Sequence, residues 1–302
     1  MGRMIRRLNL AIAVVALLAA GAAAEAQTPL GSPATRVPPA APAPVSAEAQ
    51  NPSQPTALLQ VSAVFAHDET PIRSGLVWRV FEERAGEAVP VAKSASARAS
   101  FTLKPGTYYI HVAYGFAGAS KRVTLTAGPA TERLAISAGA LQLGGAVGDM
   151  PIPAARLSFS IFVPIGNNSE GRFVTKAKAG EIIRLPEGSY HVVSTYGESN
   201  AIMRADLKVE PGKVTEATLN HRAATVTLKL VATPGGEAFA GTAFSVLTPG
   251  GDVIREAIGA FPSLTLAEGD YVLIARHEGK VYTREFKVES GVDRDIEVLA
   301  KS

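Results

Sequence analysis

Five histidines are the side chains of this sequence best suited to chemistry near neutral pH: His67, His111, His191, His221 and His277. A zinc site on a helix would pair two of them four residues apart, with a glutamate general base between. No such spacing occurs, and the chain has no cysteine to supply thiolates or disulfides. His67-Asp68-Glu69 is the one polar run with ligand-type side chains. On a strand, three neighbours alternate sides and cannot all reach one ion; a loop could bring them closer. His111 alternates out of phase with Tyr108 and so faces the opposite side of its strand, and His191 shares that face in a later segment.

Other catalytic signatures are missing. Gly-x-Ser-x-Gly is absent, and so is a strand–Gly-x-Gly-x-x-Gly–helix unit. Gly144-Gly145-Ala146-Val147-Gly148 leads into Asp149-Met150-Pro151, where no helix can open to cradle a phosphate, and reads as a hairpin or interdomain turn. Glu187 and Glu268 recur in one slot of a repeated turn, which reads as a solvated corner charge and not as an acid–base pair. Trp78, the single tryptophan, aligns with Phe159 and Phe244 on apolar strands and is expected in the core. Asn167-Asn168-Ser169 matches a glycosylation sequon but reads as a polar loop. No residue is therefore assigned a catalytic, cofactor-binding or metal-binding role, and no cofactor is expected.

The elements that would hold these residues fall into three kinds. Arg3, Arg6 and Arg7 precede an apolar run from Leu10 to Ala20 and then Ala24-Glu25-Ala26, the layout of a secretory signal cleaved after Ala26. Eleven apolar residues make about 16 Å of helix, short of a ~30 Å hydrocarbon layer. Residues 1–26 hold three arginines and one glutamate, which leaves 27 basic against 26 acidic residues, a net of +1. So balanced a chain, with no long like-charge run, gives no support to nucleic-acid binding. Residues 27–56 contain eight prolines. Proline lacks a backbone donor, so neither helix nor ladder forms, and a disordered Pro/Ala-rich tether is expected.

The rest is one unit written three times. Leu103-Lys-Pro-Gly106-Thr-Tyr108, Leu185-Pro-Glu-Gly188-Ser-Tyr190 and Leu266-Ala-Glu-Gly269-Asp-Tyr271 share Leu-x-x-Gly-x-Tyr, and an apolar alternating run follows each. A strand ending before Gly128, Gly212 and Gly291 follows in the same phase. Alternation with period two, Gly/Pro punctuation and no sustained helical period predict antiparallel β-sandwiches over 57–138, 139–221 and 222–302. Each tyrosine is expected to bury its ring and bond its hydroxyl back to the main chain near the corner. Tyr114, Tyr196 and His277, six residues on, should lie on the same strand face. Joints without linkers predict a stiff arrangement of the three.

These corner residues resemble the carboxypeptidase regulatory-like or prealbumin-like (Ig-like) sandwich, and the repeated sandwich tails of exported proteobacterial proteins with von Willebrand A domains. The resemblance covers roughly 58–302 and implies fold alone; the Asp-x-Ser-x-Ser run of an A domain is missing. The expectation is an all-β protein of three tandem Ig-like sandwiches, periplasmic or secreted, with no membrane span in the mature chain. It would be a non-catalytic structural or interaction protein that meets an envelope or extracellular protein through sheet edges or loops. The alternative is a module for carbohydrate or another envelope ligand.

Overall fold

A computed structural model describes residues 55–166 and 168–300. The expected signal segment and nearly all of the tether lie outside these residues, as does Asn167 of the sequon; Asn168 and Ser169 begin a strand. No helix among the described residues is long and apolar enough to cross a membrane.

The first repeat has seven strands: β1 (Ala57–Phe65), β2 (Leu76–Arg84), β3 (Glu87–Ser94), β4 (Arg98–Leu103), β5 (Gly106–Tyr114), β6 (Ala117–Leu125) and β7 (Gly128–Ile136). They form a three-stranded sheet, β4-β1-β7, and a four-stranded sheet, β3-β2-β5-β6. The second repeat runs β8 (Ala138–Val147), the short β9 (Met150–Pro151), β10 (Leu157–Ile165), β11 (Asn168–Lys178), β12 (Ile182–Pro186), β13 (Gly188–Tyr196), β14 (Ile202–Val209) and β15 (Val214–Asn220). The third runs β16 (Ala223–Val231), β17 (Ala243–Leu247), β18 (Val253–Ile258), β19 (Ser263–Ala267), β20 (Gly269–His277), β21 (Lys280–Val288) and β22 (Arg294–Leu299). Their sheets, β12-β8-β15 with β11-β10-β13-β14 and β19-β16-β22 with β18-β17-β20-β21, repeat the first topology.

The sheets are antiparallel with one exception per repeat: β1 with β7, β8 with β15 and β16 with β22 pair in parallel. A parallel pair needs a long crossover, which usually contains a helix. Here the whole four-stranded sheet is the crossover, so the absence of a helical period did not exclude parallel pairing. Even backbone defects repeat. The ladder slips one residue between Val80 and Phe81, between Ile161 and Phe162, and between Val246 and Leu247. The extra residue in each β-bulge is Val91, Val174 or Ile254, on an edge strand.

Each repeat has its own core. Trp78, Phe159 and Phe244 are fully buried at the same position, packed in three separate apolar clusters. The Trp78 indole N–H donates to the Ser96 carbonyl at 3.0 Å, so burial leaves no unpaired donor. The corner hydrogen bond is present three times: the hydroxyls of Tyr108, Tyr190 and Tyr271 donate to the carbonyls of Lys104, Pro186 and Ala267 at 2.8, 2.9 and 2.8 Å. Burial pushes all three phenols above their usual range, so they stay protonated donors. The glycine-rich run, read as a hairpin or interdomain turn, forms a hairpin: Gly144 to Val147 lie within β8, Gly148, at φ 57°, turns the chain, and β9 pairs back antiparallel, Val147 with Met150 and Ala146 with Pro151. Gly145 lets the strand close on Leu157, whose side chain a Cβ would meet at 2.9 Å.

Candidate functional site: the joints between repeats

Ser137 alone separates β7 from β8, and His221-Arg222 separate β15 from β16. With so short a connection, the turn after β5 of one repeat must land on the next repeat. It does so twice in the same way. Gly115, at φ 63°, lies against Arg184 of β12: a Cβ there would come within 2.5 Å of the Arg184 Cβ and 2.7 Å of its carbonyl oxygen. Gly197, at φ 72°, lies against Thr265 of β19, whose Cβ and Oγ1 an added Cβ would meet at 2.7 and 2.8 Å. Arg184 and Thr265 each stand just before the leucine of a corner motif. The corresponding turn of the last repeat has Glu278 and Gly279 at φ 49° and 76°, with nothing within 4 Å of the missing Gly279 Cβ.

Backbone hydrogen bonds seal both joints. Glu187 N–H donates to the Ser137 carbonyl and Glu268 N–H to the Arg222 carbonyl, at 3.0 and 2.9 Å. Within each repeat a second bond closes the same end of the sandwich: Gly128, Gly212 and Gly291 donate to the carbonyls of Thr56, Ala138 and Ala223, at 3.0, 2.8 and 3.0 Å. The two corner glutamates, read from sequence as solvated charges, reach back along the chain. Glu187 Oε2 lies 3.2 Å from His67 Nε2, and Glu268 pairs both oxygens with Arg222 at 2.8 and 2.9 Å. In the first repeat the same slot holds Pro105. Exposed pairs of this kind contribute little energy but orient the corner.

The aromatic position six residues after each corner tyrosine lies on the expected face and marks the joint. The Arg184 guanidinium sits 5.1 Å from the centre of the Tyr114 ring, a contact between repeats. Tyr196 is covered by Arg156 at 4.9 Å, and Arg156 donates onward to Thr265 at 2.6 Å and Thr225 at 3.2 Å. Asn200 completes the second joint, donating to the Tyr271 hydroxyl at 2.8 Å and accepting from Ala267 N–H at 3.0 Å. Arg255 pairs with Glu198 at 2.6 Å across it. His277, in the tyrosine slot of the last repeat, stacks on Phe239 at 5.2 Å.

His221 is the one histidine buried at a joint. It occupies the slot of Ile136, and its hydrogen-bond partner Ser194 occupies the slot of Val112; the pair is 2.8 Å apart. Burial holds the imidazole below its usual range against the opposing pull of the Ala201 carbonyl. The other histidines serve separate local contacts: His111 with Ser120 at 2.9 Å and His191 with Asp206 at 2.8 Å. His67, Asp68 and Glu69 diverge: Asp68 accepts from Thr70 N–H at 3.0 Å, and Glu69 pairs with Arg133 at 3.2 Å. Among the described residues, no group of three or more His, Asp or Glu is placed to hold a metal ion.

Two open grooves flank the second joint. One, of about 350 Å³, is lined by Arg156, Gly197, Glu198, Arg255 and Thr265. The other, of about 450 Å³, is lined by Met203, His221, Arg222, Glu268 and Lys287. Their charged groups are largely paired across the joint. The partners of the corner glutamates and the docking role of Gly115 and Gly197 were not read from the sequence. The signal was Glu in the second and third corner motifs against Pro in the first, with Gly115 and Gly197 following the aromatic slot.

Comparison with known proteins places the last repeat most clearly. Residues 225–300 match the model of the Rhizobiales growth-associated tandem repeat domain. No curated protein matches the chain. Among solved structures, the chain is similar to GBS52, the minor pilin of Streptococcus agalactiae, at 15% identity over 54% of this chain and 94% of that one, with a TM-score of 0.30. It is also similar to BcpA, the major pilin subunit of Bacillus cereus, at 10% identity over 82% of this chain and 100% of that one, TM-score 0.23. The Bacillus anthracis TIE protein matches at 16% identity over 82% of this chain, TM-score 0.25; the chain spans about half the length of that structure, 51%. At TM-scores of this size the likeness carries no inference about function. The chain is thus an all-β, tandem-repeat protein whose third repeat matches a named repeat domain.

Proposed function

We propose that the chain is an exported, non-catalytic array of three Ig-like sandwiches, 57–138, 139–221 and 222–302, that holds a protein partner in the bacterial envelope. A signal segment removed after Ala26 and a Pro/Ala-rich tether over 27–56 belong to the same reading, as do a periplasmic or secreted address and the finer likeness to carboxypeptidase regulatory-like sandwiches. The observation that carries it is the repeated joint. Turn glycine on β-strand, corner glutamate and the backbone bond from that glutamate to the connecting segment recur at both junctions, which suits a protein that presents surfaces at fixed spacing. Open edge strands such as β11 and β18 are templates for strand addition by a partner.

Crosslinking of the mature chain in its native envelope tests the reading. The expected result is a protein crosslinked at edge or loop residues, with capture reduced when Gly197→Val loosens the second joint. Turnover of a substrate by the purified chain, or capture indifferent to the joint, refutes it. A second reading, binding of an envelope carbohydrate, is favoured by one sheet face of the first repeat.

A further inference from the structure

The outer face of the four-stranded sheet in the first repeat differs from its two counterparts. Register places Lys93, Arg79, His111 and Ser120 side by side across the four strands. Neighbouring strands lie about 4.8 Å apart, so Arg79 and Lys93 stand one close step from each other, with His111 on the other side of Arg79. Like charges directly opposite one another on a sheet are destabilising. Arg79 and Lys93 are both exposed, and among the described residues neither makes an ion pair. The same row reads Lys176, Ser160, Val193 and Arg204 in the second repeat, and Glu256, Ser245, Ile274 and Thr283 in the third. Only the first repeat sets two unpaired cations next to each other.

The adjacent row on the same face is Pro90, Phe81, Tyr109 and Arg122. Tyr109 is 37% exposed, with the Arg122 guanidinium 6.0 Å from its ring centre and Arg122 itself paired to Glu83 at 2.8 Å. Glu83 is thereby engaged, which leaves the face with an excess of positive charge beside the partly exposed Tyr109 ring.

We propose that this face binds an acidic polysaccharide, a glycan bearing carboxylate groups. Its acidic groups meet Arg79 and Lys93 while a sugar ring lies on Tyr109. The occupant follows from what a sheet face can offer. Its backbone donors and acceptors are spent in the ladder, so a peptide would find no main-chain partners here, as it would at an edge. A glycan needs only side-chain cations and apolar ring faces. A lipid surface would want protruding apolar side chains, and Phe81 is half-buried among its neighbours. The inference deepens the carbohydrate reading and is independent of the protein-partner one.

His111 supplies a built-in reporter. Burial and the neighbouring Arg79 hold its imidazole below the usual range, and a carboxylate arriving beside Arg79 would raise it again. The test uses the mature chain, polygalacturonate as the acidic probe, neutral dextran as control, and anionic phosphatidylglycerol vesicles as the competing source of negative charge. Expected are salt-sensitive binding to polygalacturonate, none to dextran, and an upward shift of the His111 titration followed by NMR. Arg79→Ser with Lys93→Ser, the serine being native to the Arg79 slot in the other repeats, should weaken binding at least about tenfold. Arg79→Lys should retain it. Tyr109→Val, the residue of the third repeat, should weaken binding without changing its salt dependence. Binding to vesicles but not to polygalacturonate overturns the proposal. So does glycan binding that the double serine variant leaves intact, although the wider carbohydrate reading then survives. Retention by no glycan at all sinks both.

Discussion

Gly115→Ala tests the joint directly, because the same change at Gly279, one place further on in the corresponding turn of the last repeat, provides a control free of any neighbour. Both glycines have positive φ, 63° and 76°. An L-residue there costs about 1–2 kcal/mol for the left-handed backbone alone. At Gly279 nothing lies within 4 Å of the new methyl, so that is the whole expected loss. At Gly115 the methyl would lie 2.5 Å from the Arg184 Cβ and 2.7 Å from its carbonyl oxygen. Neither atom is the end of a flexible side chain, so one repeat must shift against the other. Overpacking of this kind costs about 1–3 kcal/mol. The expected loss at Gly115 is therefore about 2–5 kcal/mol, against about 1–2 at Gly279. Stability in a repeat array is a sum of repeat and interface contributions, so the loss should appear as weaker coupling between repeats. Trp78, the single tryptophan, lies in the first repeat, and its fluorescence reports that repeat alone. In urea, Gly115→Ala should move the fluorescence transition to lower concentration and separate it from the circular dichroism transition of the whole chain. Gly279→Ala should leave the fluorescence midpoint where it is. Equal effects of the two substitutions on the fluorescence midpoint would refute the docking role of the turn glycine.

Three further outcomes follow from named contacts. Tyr271→Phe leaves the Asn200 amide without its acceptor as well as breaking the corner bond, so urea melts should show a loss of about 1–3 kcal/mol, larger than the roughly 1 kcal/mol of Tyr108→Phe. Phe159→Ala, in the second core, should cost about 3–5 kcal/mol in the same assay, with the Trp78 signal changing only through the first joint. His221 gives a pH dependence. Burial holds its folded-state pKa below that of a free histidine, about 6.5, so the unfolded chain binds the proton more readily, and stability should be full above about pH 6.5 and decline as the pH falls below it. The groups around it are Arg222, whose carboxylate partner is Glu268, Lys287 in the same groove and Arg156 beyond Tyr196. His111, also held low by burial, adds a slope of the same sign. Replacing the pair with the residues of the first repeat, His221→Ile with Ser194→Val, should therefore flatten thermal melting between pH 7.5 and 5 only in part. An unchanged profile would show that the imidazole does not govern the second joint.

Much of the fold was legible because a strand's side chains alternate and a corner needs particular residues. Leu-x-x-Gly-x-Tyr located β5, β13 and β20, and the Tyr hydroxyl found the carbonyl that the motif implied. Trp78, Phe159 and Phe244 fell in the core because bulk and phase leave an aromatic few other places. The role of the glycines was harder to read. Gly188 and Gly269 have φ 153° and 157°, a backbone conformation that L side chains rarely adopt, so two of the three corners require glycine on backbone grounds although the corner tyrosine makes no close contact with them. Gly115 and Gly197 carry a further demand that no local pattern shows: close approach of a neighbouring repeat about 70 residues further along the chain.

By itself the sequence determined the repeat, its strands and the inward face of each, since period-two patterning and turn chemistry act over a few residues. Which strands pair in parallel, where a corner glutamate finds its partner, and which surface cations become neighbours were decided only by the tertiary structure. Those contacts join residues far apart in the chain. Arg79 meets Lys93 and His111 because three strands settle into one register, and no local pattern of residues specifies that meeting.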